Sequence, residues 1–156
     1  MFNTQEKIIL KKLTKWCSRG EKCQEDIHHW FFKNKILTTD IEKYINYLKK
    51  NDFVNDTRYA AAFVHDKFLF NNWGKLKIAA KLKEKKIPEL TIKEAIKKEI
   101  DDTKYKHVLQ MLIKKKKKSL DIKDILITKQ KIRNFALSKG FEPDLIFREI
   151  ENLIKN

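Results

Sequence analysis

Breaker residues are scarce in this chain. Its 156 residues include three glycines, two prolines and two cysteines. With glycine only at positions 20, 74 and 140, no glycine-rich phosphate loop can be assembled. The two cysteines, Cys17 and Cys23, are too few for a disulfide scaffold and fit reduced thiols. No apolar run is long enough to cross a bilayer. Met1 to Leu13 carries Lys7, Lys11 and Lys12 instead of a continuous apolar stretch, so no signal peptide is expected. The expected location is the cytoplasm. So few turn formers, with so much Lys, Leu and Ile, disfavour a β sandwich or barrel and favour long helices.

Positive charge is what the chain has in excess. The formal net charge is +15, from 36 basic and 21 acidic residues. Arg19, Arg58, Arg133 and Arg148 are arginine, and the other 32 basic residues are lysine. Such an excess favours contact with nucleic acid or an acidic protein surface. Codons of an AT-rich genome would give the same wealth of Lys, Ile and Asn, so composition alone leaves solvated lysines an equal reading. Hydrophobic residues make up 42%, enough for a core and too many for a disordered tail.

The strongest pattern is an internal repeat. Ile27, Ile36, Ile41 and Ile45 are spaced by nine, five and four residues. Ile78, Ile87, Ile92 and Ile96 repeat that spacing, as do Ile132, Phe141, Ile146 and Ile150. The copies start 51 and 54 residues apart, which signals tandem supersecondary units. Within a copy, Ile27, Trp30 and Phe31 make one helix stripe, matched by Ile132, Phe135 and Ala136 and by Ile78 and Leu82. A turn follows, with Gly140 suited to a left-handed cap and Phe141 to its apolar contact. Pro88 and Pro143 suit the first turn of the next helix. That helix carries Ile41, Ile45 and Leu48, then Ile92, Ile96 and Ile100, then Ile146, Ile150 and Leu153.

Each copy also has an upstream helix, over roughly Thr4 to Cys17, Asp56 to Phe70 and Lys104 to Lys117. Asn55 is placed to cap the second of these, with Val54 and Tyr59 as a hydrophobic staple. The expectation is an all-α chain of three tandem three-helix units, 1–52, 53–102 and 103–156, forming an elongated, curved array.

No catalytic constellation is found. The spacing of Cys17, Cys23, His28 and His29 is not that of a zinc finger. Asp101 and Asp102 read as linker or cap residues. No cofactor is expected. Two basic features remain. Lys75, Lys77, Lys81, Lys83, Lys85 and Lys86 crowd the middle unit, and Lys114, Lys115, Lys116, Lys117 and Lys118 form an unbroken run. Residues 104–139 hold twelve basic groups against Asp121 and Asp124. Phosphate contact and a solvated helix end are both open for that run. Phe68, Phe70 and Trp73 have stacking faces, but aromatic residues at this spacing read first as core.

The segment Phe53-Val54-Asn55-Asp56-Thr57-Arg58-Tyr59-Ala60 resembles the signature of the RecX family. Trp73-Gly74-Lys75-Leu76-Lys77-Ile78, followed by Leu82 and Lys85-Lys86-Ile87, resembles the second helix of the same repeat. Lys139-Gly140-Phe141 with Ile146 resembles the C-terminal copy, and Cys17-Ser18-Arg19-Gly20-Glu21 ahead of Ile27 the N-terminal one. Lys35 and Lys86 stand where family members often have glycine.

The resemblance implies a cytoplasmic, non-catalytic protein of DNA repair and recombination in the SOS response. It would bind the RecA nucleoprotein filament, restrain its activity, and touch single- or double-stranded DNA weakly without sequence preference. A monomer with no membrane contact is expected. Candidate RecA- or DNA-contacting residues are Lys75, Lys77, Lys81, Lys85, Lys114 to Lys118 and Arg133. The alternative is a stand-alone basic helical DNA-binding module, and a scaffold for another acidic protein is a third reading.

Overall fold

The computed structural model describes residues 1–37 and 39–155. Among them the chain forms nine helices and no strand: α1 (Thr4–Cys17), α2 (Gln24–Lys33), α3 (Ile41–Lys50), α4 (Asp56–Asn71), α5 (Lys75–Glu84), α6 (Glu89–Glu99), α7 (Asp102–Ser119), α8 (Ile125–Lys139) and α9 (Pro143–Leu153).

Local chemistry sets most of the starts. The Asn3 side chain accepts from the Glu6 amide while Glu6 accepts from the Asn3 amide, a reciprocal capping box on α1. Asn55 Oδ1 accepts from the Arg58 amide at 2.9 Å, and Asp101 from the Lys104 amide at 2.9 Å. Asp124 caps α8, and Pro143 occupies the first turn of α9. Pro88 falls one place earlier than expected, at the N-cap of α6, because its ψ of 142° is extended. The expected staple between Val54 and Tyr59 is divided. Val54 is buried with α1–α3, whereas Tyr59 packs on the second core.

The middle helix of each copy ends alike. Lys35, Lys86 and Gly140 all take positive φ, at 55°, 59° and 97°. The next amide in each case reaches back five residues: Ile36 to Phe31, Ile87 to Leu82, and Phe141 to Ala136. This is a Schellman cap made three times. Lysine fills the left-handed position in two of the three, against its own steric preference.

Apolar burial falls into two clusters. Leu13, Ile27, Phe31, Tyr44, Ile45 and Leu48 center the first, built from α1–α3. The second runs through α4–α9 and contains Ile78, Leu82, Leu109, Ile132, Phe141 and Ile146. Replacing Ile78, which has no exposed surface, by aspartate should cost about 3–5 kcal/mol, because an unpaired carboxylate would be buried. Urea denaturation checks this, and wild-type stability of Ile78→Asp would contradict the observed burial.

Two contact sets join successive helix groups. Cys23, at the start of α2, is fully buried in the second core, and burial pushes its thiol up to about 11. Around it, Asp26 meets Lys85 at 2.7 Å and Glu21 meets Arg58 at 2.7 Å. The equivalent place at the start of α5 is Gly74, whose amide donates to the Lys139 carbonyl at 2.7 Å. The Leu76 amide donates to Gly140 at 3.0 Å and the Lys75 amide to the Tyr105 hydroxyl at 2.9 Å.

Burial raises the Asp26 carboxyl, but hydrogen bonds from Lys85 and the Cys23 amide, with the Lys85 charge, hold it below the ordinary range. A depressed carboxyl stabilises the fold above its unfolded value and loses that contribution as pH falls through the folded one. Asp26→Asn should therefore flatten the acid limb of stability below about pH 4, read by thermal melts across pH. An unchanged limb would remove Asp26 from the acid transition.

Candidate functional site

The cationic candidates divide by what they touch. Along α5 and its C-cap, Lys77, Lys81 and Lys85 stand at four-residue spacing. Lys77 Nζ sits 4.4 Å from the center of the Trp73 ring, and Lys67 Nζ lies 5.0 Å from the same ring. Lys81 pairs with Glu84 at 3.7 Å. Lys85 is held by Asp26, which with neighbouring carboxylates raises its pKa against burial. Lys75 pairs with Asp102 at 2.9 Å and lies over Tyr105. Burial first, then hydrogen bonding to Glu142, pushes the Tyr105 phenol up. Lys75 and Lys85 thus brace the contacts between helix groups. As ligand contacts they would first have to give up those partners.

The lysine run is placed differently. Lys114, Lys115, Lys117 and Lys118 are exposed on the last turns of α7. Among the described residues none of the four has a carboxylate partner. Lys116 lies 5.0 Å over the Phe135 ring of α8. Arg133 is exposed and lines a hollow of about 420 Å³ between α8 and α9, with Leu126, Lys129, Gln130 and Phe147. Phe135 and Arg133 are two residues apart, roughly 200° around the helix. The lysine run and Arg133 therefore lie on opposite flanks of α8, and the structure does not bring the candidates into one cluster.

The aromatic residues also separate. Phe68 is buried and Trp73 half-buried, as core side chains should be. Phe70 departs from that reading at 72% exposed, because two residues beyond Phe68 it points away from the core. Sequence reasoning missed the carboxylates Glu21, Asp26 and Asp102, whose cationic partners lie 37, 59 and 27 residues away. It also missed Glu149, which is 2% exposed and accepts from Gln110 at 2.6 Å, tying α9 to α7. No local signal marks such pairs. Among the described residues, no group of three or more His, Cys, Asp or Glu is arranged to hold a metal ion, and no helix is long and apolar enough to cross a membrane.

Fold and surface together define an all-α helical array with a carboxylate-free lysine edge. Residues 55–96, from α4 into α6, match the family model described as RecX, second three-helix domain. Regulatory protein RecX of Clostridioides difficile is 32% identical over 114 residues, 73% of this chain and 53% of that protein. Regulatory protein RecX of Bacillus cytotoxicus is 25% identical over 153 residues, 98% of this chain and 56% of its own. The crystal structure of RecX from Lactobacillus salivarius superposes with a TM-score of 0.79 at 22% identity, covering 92% of this chain and 93% of that one. A second crystal structure, of a regulatory protein RecX, gives 0.79 at 17% identity over 99% of this chain and 80% of its own. These two likenesses establish the fold. The chain belongs to the RecX family of regulatory proteins. It spans about half the length of the curated relatives it matches.

Proposed function

We propose that this chain binds the RecA–DNA filament in the cytoplasm and inhibits recombinase and ATPase activity without catalysing a reaction itself. The match of residues 55–96 to a RecX domain carries this reading. Three three-helix units, 1–52, 53–102 and 103–156, would present the binding surface, and the repeated Schellman caps support that division. Net charge of +15 would steer the chain toward a surface made of DNA and acidic protein. The test is titration of the protein against DNA-dependent RecA ATPase. Unaltered ATPase at every ratio would remove the filament reading.

The unpaired lysines of α7 favour a second reading, that of a stand-alone DNA binder. They predict weak, sequence-independent binding that fades with salt. Replacing Lys114 to Lys118 by glutamine should reduce the slope of log affinity against log salt by up to about 4, near 0.9 for each phosphate no longer neutralised. Fluorescence anisotropy with a labelled oligonucleotide measures the slope. An unchanged slope would assign the run to solvent.

A further inference from the structure

The repeat aligns the three grooves that lie between the second and third helices of each set. Ile27, Ile78 and Ile132 are equivalent, as are Ile41, Ile92 and Ile146. One residue further on stand His28 and Glu42 in the first set, Ala79 and Lys93 in the second, and Arg133 and Phe147 in the third. In the first set His28 meets Glu42 at 3.4 Å across the helices. In the third, Lys129 meets Glu151 at 3.2 Å, and Arg133 and Phe147 line the groove. In the second, the counterparts of Lys129 and Glu151 are Lys75 and Lys97, like charges that cannot pair. Lys75 turns to Asp102 instead, and Ala79 puts only a methyl group where the other sets have imidazole or guanidinium.

Among the described residues no ion pair crosses the α5–α6 groove. The groove consists of two adjoining hollows of about 380 and 300 Å³ that share Ala79, Lys93 and Ile96. Ala80 and Ile92 extend its apolar lining, and Leu76, 51% exposed, stands at one end. Lys83 and Lys97 on its rim are exposed, and among the described residues neither has a carboxylate partner. We propose that this groove takes the apolar face of an acidic amphipathic helix from a protein partner. Glu89 and Asp102 also line the groove but are paired with Lys93 and Lys75, so an apolar floor with Lys83 and Lys97 left over on its rim suits leucine-like anchors at i, i+3, i+4 and i+7 flanked by carboxylates. A phosphate backbone would leave that floor uncovered. The length of α5, about 15 Å, matches two to three turns of a docked helix. This site is separate from the lysine run, and its test contains no recombinase.

The probe is a labelled synthetic peptide of about 14 residues, with leucine on one helical stripe and glutamate elsewhere. A second peptide has the same composition with the leucines scattered around the helix. Anisotropy is measured at about 150 mM salt, where exposed charges more than about 8 Å apart are largely screened. The striped peptide should bind at least about tenfold more tightly than the scattered one. Ala79→Trp, which fills the groove, should weaken it by a similar factor. So should Lys83→Glu with Lys97→Glu, exposed changes that leave the core intact. Glutamine at Lys114 to Lys118 should leave peptide binding unchanged. Equal binding of both peptides, or dependence on Lys114 to Lys118, would reduce the effect to net charge and overturn the proposal. Wild-type affinity in the folded Lys83→Glu, Lys97→Glu variant would overturn it as well. If Ala79→Trp weakened single-stranded DNA binding as much as peptide binding, the groove would be a nucleic-acid surface and the proposal would fail.

Discussion

Gly140→Ala should lower stability by about 3 kcal/mol or more, with a drop in Tm of roughly 10 °C for a chain of this size. Two independent effects add. The φ of 97° at Gly140 lies where a Cβ costs about 1–2 kcal/mol. A Cβ there would also stand 2.3 Å from Lys77 Cβ and 2.7 Å from its amide nitrogen, both fixed by the first turn of α5. Gly74→Ala should be as damaging without any positive φ, since its Cβ would fall 2.3 Å from the Gly140 carbonyl carbon and oxygen. Relief requires separating α5 from the α8 turn, which breaks the Gly74 to Lys139 and Leu76 to Gly140 hydrogen bonds. Gly20→Ala is the control, because its Cβ meets only Lys22 Nζ, at 3.4 Å. A change within about 0.5 kcal/mol is expected there.

The reverse substitution should stabilise. Lys35→Gly relieves a left-handed lysine on an exposed turn and should gain about 1 kcal/mol. Chemical denaturation of the four variants checks the set. Tolerance of alanine at both Gly74 and Gly140 would mean that the α5–α8 contact is not part of the folded state.

The repeat made much of this fold legible. Spacings of nine, five and four locate the middle helix, its turn and the next helix in every copy, even where Lys35 and Lys86 replace the informative glycine. The register survives because Ile36, Ile87 and Phe141 must each return to the core after a Schellman turn. The destination of charged side chains was not legible. Lys81 and Lys85 are lysines four residues apart at the end of α5 and its C-cap, yet Lys85 is bound to a carboxylate 59 residues away and Lys81 to one three residues away. The division of the staple has the same origin. Val54 and Tyr59 have the right spacing, but the chain crosses from one core to the other between them. Pattern fixes helices and their apolar faces. Partner choice among many lysines depends on which helix ends meet, and that emerges only with the tertiary fold.

RecA ATPase and strand exchange should fall when this protein is present well below one molecule per DNA-binding site. On the binding reading proposed above, stoichiometry separates two ways of binding. A molecule that stops a growing filament prevents many later additions, so few copies suffice. A molecule that only competes for DNA has to cover the lattice, so inhibition would follow near-complete coverage. Salt makes the second distinction. Any DNA affinity carried by the α7 lysines would fall by roughly 0.9 log units per phosphate contact for each tenfold rise in salt. A protein–protein interface with a buried apolar center is less sensitive. Inhibition should therefore persist at a salt concentration that abolishes DNA binding by this chain alone. It should also persist after Lys114 to Lys118 are replaced by glutamine, with at most a slower onset from weaker steering. Titration of the protein and of its Lys114 to Lys118 glutamine variant against RecA from the same organism, at two salt concentrations, reads all three outcomes. Inhibition that appeared only at DNA saturation, and vanished with salt or with the lysine run, would make the chain a competitor for DNA and leave the filament without a role.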